Sequence, residues 1–108
     1  MSDEAVGLRA GMRLKSQVCT TQVIVVRAGN KPVVLWCGGV RMLELGASGR
    51  GEMTPVPEQM RGSLLGKRYT HPDDDSVEIL VTMGGEGSMS DGEQDLVLKA
   101  AKPLPASD

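Results

Sequence analysis

Cys19, Cys37 and His71 are the residues of this 108-residue sequence with the most distinctive chemistry: its two thiols and its single imidazole. A thiol, once ionised, attacks electrophiles, binds soft metals and pairs as a disulfide. An imidazole serves as a general base or a metal ligand near neutral pH. Two thiolates do not close a tetrahedral zinc or iron site, so a metal needs further ligands from Ser16, His71, Asp74 or a second subunit. A nucleophilic Cys–His pair requires His71 to fold against one of the thiols. The plainest alternative is a pair of buried thiols acting as small hydrophobes. The metal-binding candidates are therefore Cys19, Cys37 and His71, with zinc or iron as the ion. No cofactor is the simpler expectation.

Other motifs carry less chemistry. His71-Pro72-Asp73-Asp74-Asp75 has hard ligands, but three consecutive acids cannot all face one ion as the alternating ligands of a calcium loop do. It reads as a solvated turn. Gly84-Gly85-Glu86-Gly87-Ser88 lacks the Gly-Lys-Ser/Thr of a phosphate loop and opens no helix, so it reads as a hairpin turn. Seven methionines are spread along the chain. Because Met adapts to irregular contacts, Met53, Met60 and nearby Trp36 are the candidates for touching a partner, with core filling as the alternative.

Composition removes several classes. One Trp, one Tyr and no Phe leave no stacking platform for exposed bases, and a net charge of −2 argues against phosphate-driven binding, so nucleic acid is not expected. Two cysteines are too few for a disulfide-dense secreted module. The acidic opening lacks a signal-peptide profile, and no apolar run, Val23 to Val26 included, approaches a membrane span. A cytoplasmic setting with reduced thiols is the expectation. Charge is divided along the chain: residues 1–70 hold ten basic and five acidic side chains, residues 71–108 two and nine. Opposite faces of this kind favour either solvated surfaces or head-to-tail association.

The elements that must position these residues read as short strands between glycine turns. Leu14 to Ala28 and Val33 to Cys37 are strand-like, separated by Gly29-Asn30-Lys31-Pro32, and predict a hairpin over 18–37. Val23 to Val26 is apolar on both faces, which places it centrally or at a dimer interface. Lys67 to Thr70, Ser76 to Met83, Ser88 to Ser90 and Leu96 to Leu98 are further strands, with a two-residue turn at Asp91-Gly92. Glu4 to Met12 allows a short helix at most, and Glu58 to Leu65 a helical turn ended by Gly66. The division is an N-terminal arm at 1–13, a first β unit at 14–43, a connection at 44–66, a second unit at 67–100 and a tail at 101–108.

The two units read as an internal repeat. Cys19-Thr20-Thr21-Gln22-Val23-Ile24-Val25-Val26-Arg27-Ala28-Gly29 aligns with Asp74-Asp75-Ser76-Val77-Glu78-Ile79-Leu80-Val81-Thr82-Met83-Gly84, and Val34-Leu35-Trp36 with Ser88-Met89-Ser90. Each unit also resembles the desulforedoxin-type iron-binding module: Tyr-x-Cys-x-x-Cys, an aliphatic strand, a glycine turn, a short strand and Cys-Cys-Gly-x-x-Met. Tyr69 stands at the family's Tyr. Leu35-Trp36-Cys37-Gly38-Gly39-Val40-Arg41-Met42 is similar to the closing segment, with Gly38 at the second adjacent Cys. Ser16 and Cys19 fall at the opening pair of the first unit, His71 and Asp74 at that of the second. The resemblance implies a knuckle fold that brings Cys19 near Cys37. It does not imply rubredoxin-like electron transfer, which needs four thiolates around one iron.

The fold class expected is all-β or mostly β: two related small three-stranded units packed into one domain, with a short helical turn in the connection. The function expected is that of a non-catalytic accessory subunit or assembly module of a larger enzyme, or a homo-oligomer of the same kind. The alternative is a metal-binding or thiol-redox protein using Cys19 and Cys37.

Overall fold

The computed structural model describes residues 7–30, 32–49 and 53–99. The first six residues of the arm and the tail at 101–108 lie outside them. The chain is mostly β, as its branched aliphatic runs and glycine turns predict. Its strands are β1 (Arg13–Lys15), β2 (Gln22–Ala28), β3 (Trp36–Cys37), β4 (Val40–Arg41), β5 (Leu43–Glu44), β6 (Arg68–His71), β7 (Asp74–Met83), β8 (Met89–Ser90) and β9 (Val97–Leu98). Among the described residues the one helical element is a 3-10 turn at Pro57–Gln59, shorter and earlier than the turn expected over 58–65. Proline at its first position fits a helix start, but one turn buries no face and goes no further. Residues 7–12 of the arm form no helix.

Six strands form one sheet in the order β5-β1-β2-β7-β6-β9, and three form a second in the order β4-β3-β8. Strands from both halves of the chain enter both sheets. The antiparallel β2–β7 pair, with Val25 opposite Ile79 and Val23 opposite Val81, is the centre of the larger sheet, flanked by β1 on one side and β6 on the other. Alternation along these strands buries Val23, Val25, Val77, Ile79 and Val81 almost completely, the strand period of two at work. Ile24 is half-buried and Val26 exposed on the other face.

The hairpin expected over 18–37 does not form. After Gly29 the chain leaves the large sheet, and β3 pairs instead with β4 and β8. The partner of β2 is β7, because a ten-residue strand with three buried aliphatics covers β2 far better than the two-residue β3. The β3–β4 turn is Gly38-Gly39, both at positive φ, which a two-residue hairpin turn of this hand demands. Asp91-Gly92 lies in a longer turn closed by Asp91 N–H donating to the Gln94 carbonyl.

Candidate functional site

The loop between β1 and β2 is tied by its first residue. Ser16 N–H donates to the Thr21 carbonyl at 2.9 Å, and Ser16 Oγ accepts the N–H groups of Val18 and Cys19, each at 3.1 Å. A serine that satisfies two loop amides makes a compact turn without help from secondary structure. The turn carries Cys19 inward. The Gly38-Gly39 turn does the same for Cys37, which ends β3 fully buried.

The two sulfurs meet at 3.9 Å. Cys19 Sγ also lies 3.3 Å from Ser16 Oγ and 3.2 Å from Thr21 Oγ1, and accepts the Gly87 N–H at 3.3 Å. Both cysteines are free thiols. The pair is electrostatically unequal. Burial pushes Cys19 up, but the Ser16 and Thr21 hydroxyls and the N–H groups of Thr21 and Gly87 outweigh it and bring the thiol down to about 7. Burial, then the neighbouring Cys19 charge, push Cys37 up to about 11 despite help from Thr21 and Ser16. Near neutral pH Cys19 is thus partly ionised, and Cys37 is the protonated partner.

Three glycines line this cluster. A Cβ at Gly85 would sit 3.0 Å from Cys19 Sγ and 2.6 Å from the Thr21 nitrogen; at Gly87 it would sit 2.9 Å from Cys37 Sγ; at Gly38 it would overlap Val18. The loop at 84–87 is in turn clamped from outside. Ser63 and Gly85 exchange backbone hydrogen bonds, Ser63 Oγ donates to the Gly87 carbonyl at 2.5 Å, and Thr20 Oγ1 donates to the Gly84 carbonyl at 2.7 Å.

His71 is elsewhere. Its Nδ1 accepts the Asp73 N–H at 3.0 Å, which leaves the ring proton on Nε2, 2.8 Å from Asp91 Oδ2. Burial pushes the Asp91 carboxyl up, but hydrogen bonds from Gln94, His71 and Glu93 hold it below its ordinary value. Both ring nitrogens are occupied, so His71 offers no lone pair to a metal or substrate. Asp74 accepts Asn30 N–H at 2.9 Å and Ser76 N–H at 3.0 Å, a structural role in the turn.

Comparison with protein families, with characterised proteins and with solved structures finds no match to this chain. The site therefore stands on its own geometry.

Of the residues singled out in the sequence, Cys19 and Cys37 come together and His71 does not join them; among the described residues no three His, Cys, Asp or Glu side chains converge. The donors at the thiols are two sulfurs and two hydroxyls, which do not fit the four-ligand soft site that zinc or iron takes here. Met60 is half-buried with its sulfur beside Gly38, and Trp36 is half-buried with its ring against Gly92. Met53 is half-buried outside any strand. Thr21 beside Cys19 was not singled out in the sequence, and Gly85 and Gly87 were read only as a hairpin turn, because their approach to the thiols is made across the fold. A shallow cleft of about 290 Å³ between Arg13, Leu14, Gln22, Val23, Ile24, Leu45 and Thr82 contains neither thiol.

Proposed function

We propose that this chain is a small thiol-redox protein whose Cys19–Cys37 pair cycles between dithiol and disulfide. The observation that carries this reading is the 3.9 Å approach of a thiol lowered to about 7 to a buried partner thiol. Closing the bond needs the sulfurs to approach by about 2 Å. Oxidation removes two electrons and two protons from the pair and passes them to an acceptor such as a peroxide or a disulfide; a thiol reductant returns them. Treating the reduced chain with hydrogen peroxide or diamide, and the product with dithiothreitol, tests this. The expected result is reversible loss of two thiols and of two hydrogens in the intact mass, with no dimer formed. Only intermolecular disulfides, or two thiols unchanged by every oxidant, would refute it.

A second reading, an accessory or assembly module, is supported by Leu64 and Leu65, which are 53% and 66% exposed on the segment that clamps the 84–87 loop. Adjacent exposed leucines on a short chain suit contact with a larger protein or a second copy. Co-purification of a stoichiometric partner that Leu65→Ser abolishes is the expected result; an unpartnered monomer in both forms would refute it.

The desulforedoxin-like repeat is our reading of how this site arose. It is supported by parallel placement: Ser16, Cys19 and Cys37-Gly38 in one half stand where His71, Asp74 and Asp91-Gly92 stand in the other. The contacts run in parallel too, since Gly87 N–H reaches Cys19 and Asn30 N–H reaches Asp74. The first half thus holds a thiol pair, Cys19 with Cys37, and the second an imidazole–carboxylate pair, His71 with Asp91.

A further inference from the structure

Resting on the dithiol reading, we infer that the oxidant of this site is a small hydroperoxide, with Cys19 the attacking and Cys37 the resolving thiol. The argument is one of room. Cys19 Sγ is bracketed by the Ser16 and Thr21 hydroxyls, by Cys37 and by the 84–87 loop. The loop lies so close that even a single added carbon at Gly85 or Gly87 would press on a sulfur at 3.0 or 2.9 Å. A disulfide oxidant must place two sulfurs in line with the attacking one and carry a carbon chain on each. Hydrogen peroxide brings two oxygens and nothing else.

The donors are also placed for this chemistry. Ser16 Oγ already accepts two amide N–H groups, so its own proton is free to point at sulfur. Thr21 is fully buried and its hydroxyl stands 3.2 Å from Cys19 Sγ. The Cys19 thiolate attacks one peroxide oxygen, the O–O bond breaks, and the products are the Cys19 sulfenic acid and hydroxide. Hydroxide takes the Cys37 proton to form water. The Cys37 thiolate then attacks Cys19 sulfur, the S–O bond breaks, and a second hydroxide leaves, which becomes water with the proton that solvent returned to balance the first ionisation of Cys19. In sum two thiols and one hydrogen peroxide give one disulfide and two waters.

The test compares hydrogen peroxide with oxidised glutathione on the reduced full-length chain, following thiol loss and intact mass. Peroxide is expected to close the disulfide at least ~10-fold faster at equal concentration. Cys37→Ser is expected to stop one oxygen heavier and to react with dimedone. Thr21→Val is expected to slow the peroxide reaction by about tenfold, the worth of a hydrogen bond to a charged atom, with Ser16→Ala as the second variant should Thr21→Val not fold. Oxidised glutathione reacting as fast as peroxide would overturn the inference and leave the dithiol reading standing. Failure of peroxide, glutathione disulfide and diamide alike to close the bond would overturn both.

Discussion

Cys19 Sγ and Cys37 Sγ lie 3.9 Å apart although 18 residues separate them in the chain and no strand pair joins them directly. Cys19 rides on a serine-tied loop of the large sheet, Cys37 on the end of a short strand in the small one. Their meeting is therefore a contact between the two sheets, and whatever the thiols do reports on how the sheets sit together.

The inequality of the pair is measurable by alkylation. Iodoacetamide should modify Cys19 with a rate that is half-maximal near pH 7 and flat above about pH 8, while Cys37 stays unmodified until well above pH 9. Peptide mapping of the labelled chain distinguishes the two. Equal labelling of both thiols at pH 7 would contradict the assignment.

The 84–87 loop should tolerate no side chain facing the site. In Gly85→Ala the new carbon would meet the Thr21 nitrogen at 2.6 Å and Thr21 Oγ1 nearer still, and Thr21 is fully buried just before β2. Overpacking of this kind costs about 1–3 kcal/mol. Urea titration of the reduced protein should show that loss as a lower midpoint at an unchanged slope, whereas Gly46→Ala, which meets nothing, should leave the midpoint in place.

Val25 is 1% exposed in β2, between β1 and β7. Val25→Asp places a carboxylate with no counter-ion in the centre of the sheet, at a cost of at least several kcal/mol, comparable with the whole stability of a domain this size. Circular dichroism should show an unfolded chain. A native-like spectrum would mean that the strand is peripheral.

The His71–Asp91 pair sets a pH dependence. A carboxyl held below its ordinary value contributes stability above its unfolded pKa of about 4, and that contribution is lost as pH falls through the lower folded value. Asp91→Asn should therefore lower the melting temperature at pH 7 but converge on the parent once the pH has fallen through the lowered folded value. Parallel curves at all pH values would show that Asp91 acts through its shape alone.

Much of this protein follows from local sequence. Branched aliphatics at alternate positions from Val77 to Val81 can only be satisfied as a half-buried strand, and Gly38-Gly39 can supply positive φ twice in a row, so strands and turns were legible residue by residue. The two thiols were legible as the chemistry most worth following. Pairing was not. β2 and β3 are neighbours in sequence, yet the long β7 offers β2 more apolar surface and more ladder bonds than a two-residue strand can, and that comparison is made only when the whole chain competes for partners. The inequality of Cys19 and Cys37 was only partly local: the Ser16 and Thr21 hydroxyls that lower Cys19 lie within three residues of it, whereas the Gly87 amide and the burial that raises Cys37 come from packing across the fold. Sequence alone determined which side chains are present and which local turns carry them; tertiary structure decided which of them touch, because desolvation and hydrogen bonding depend on distance in space.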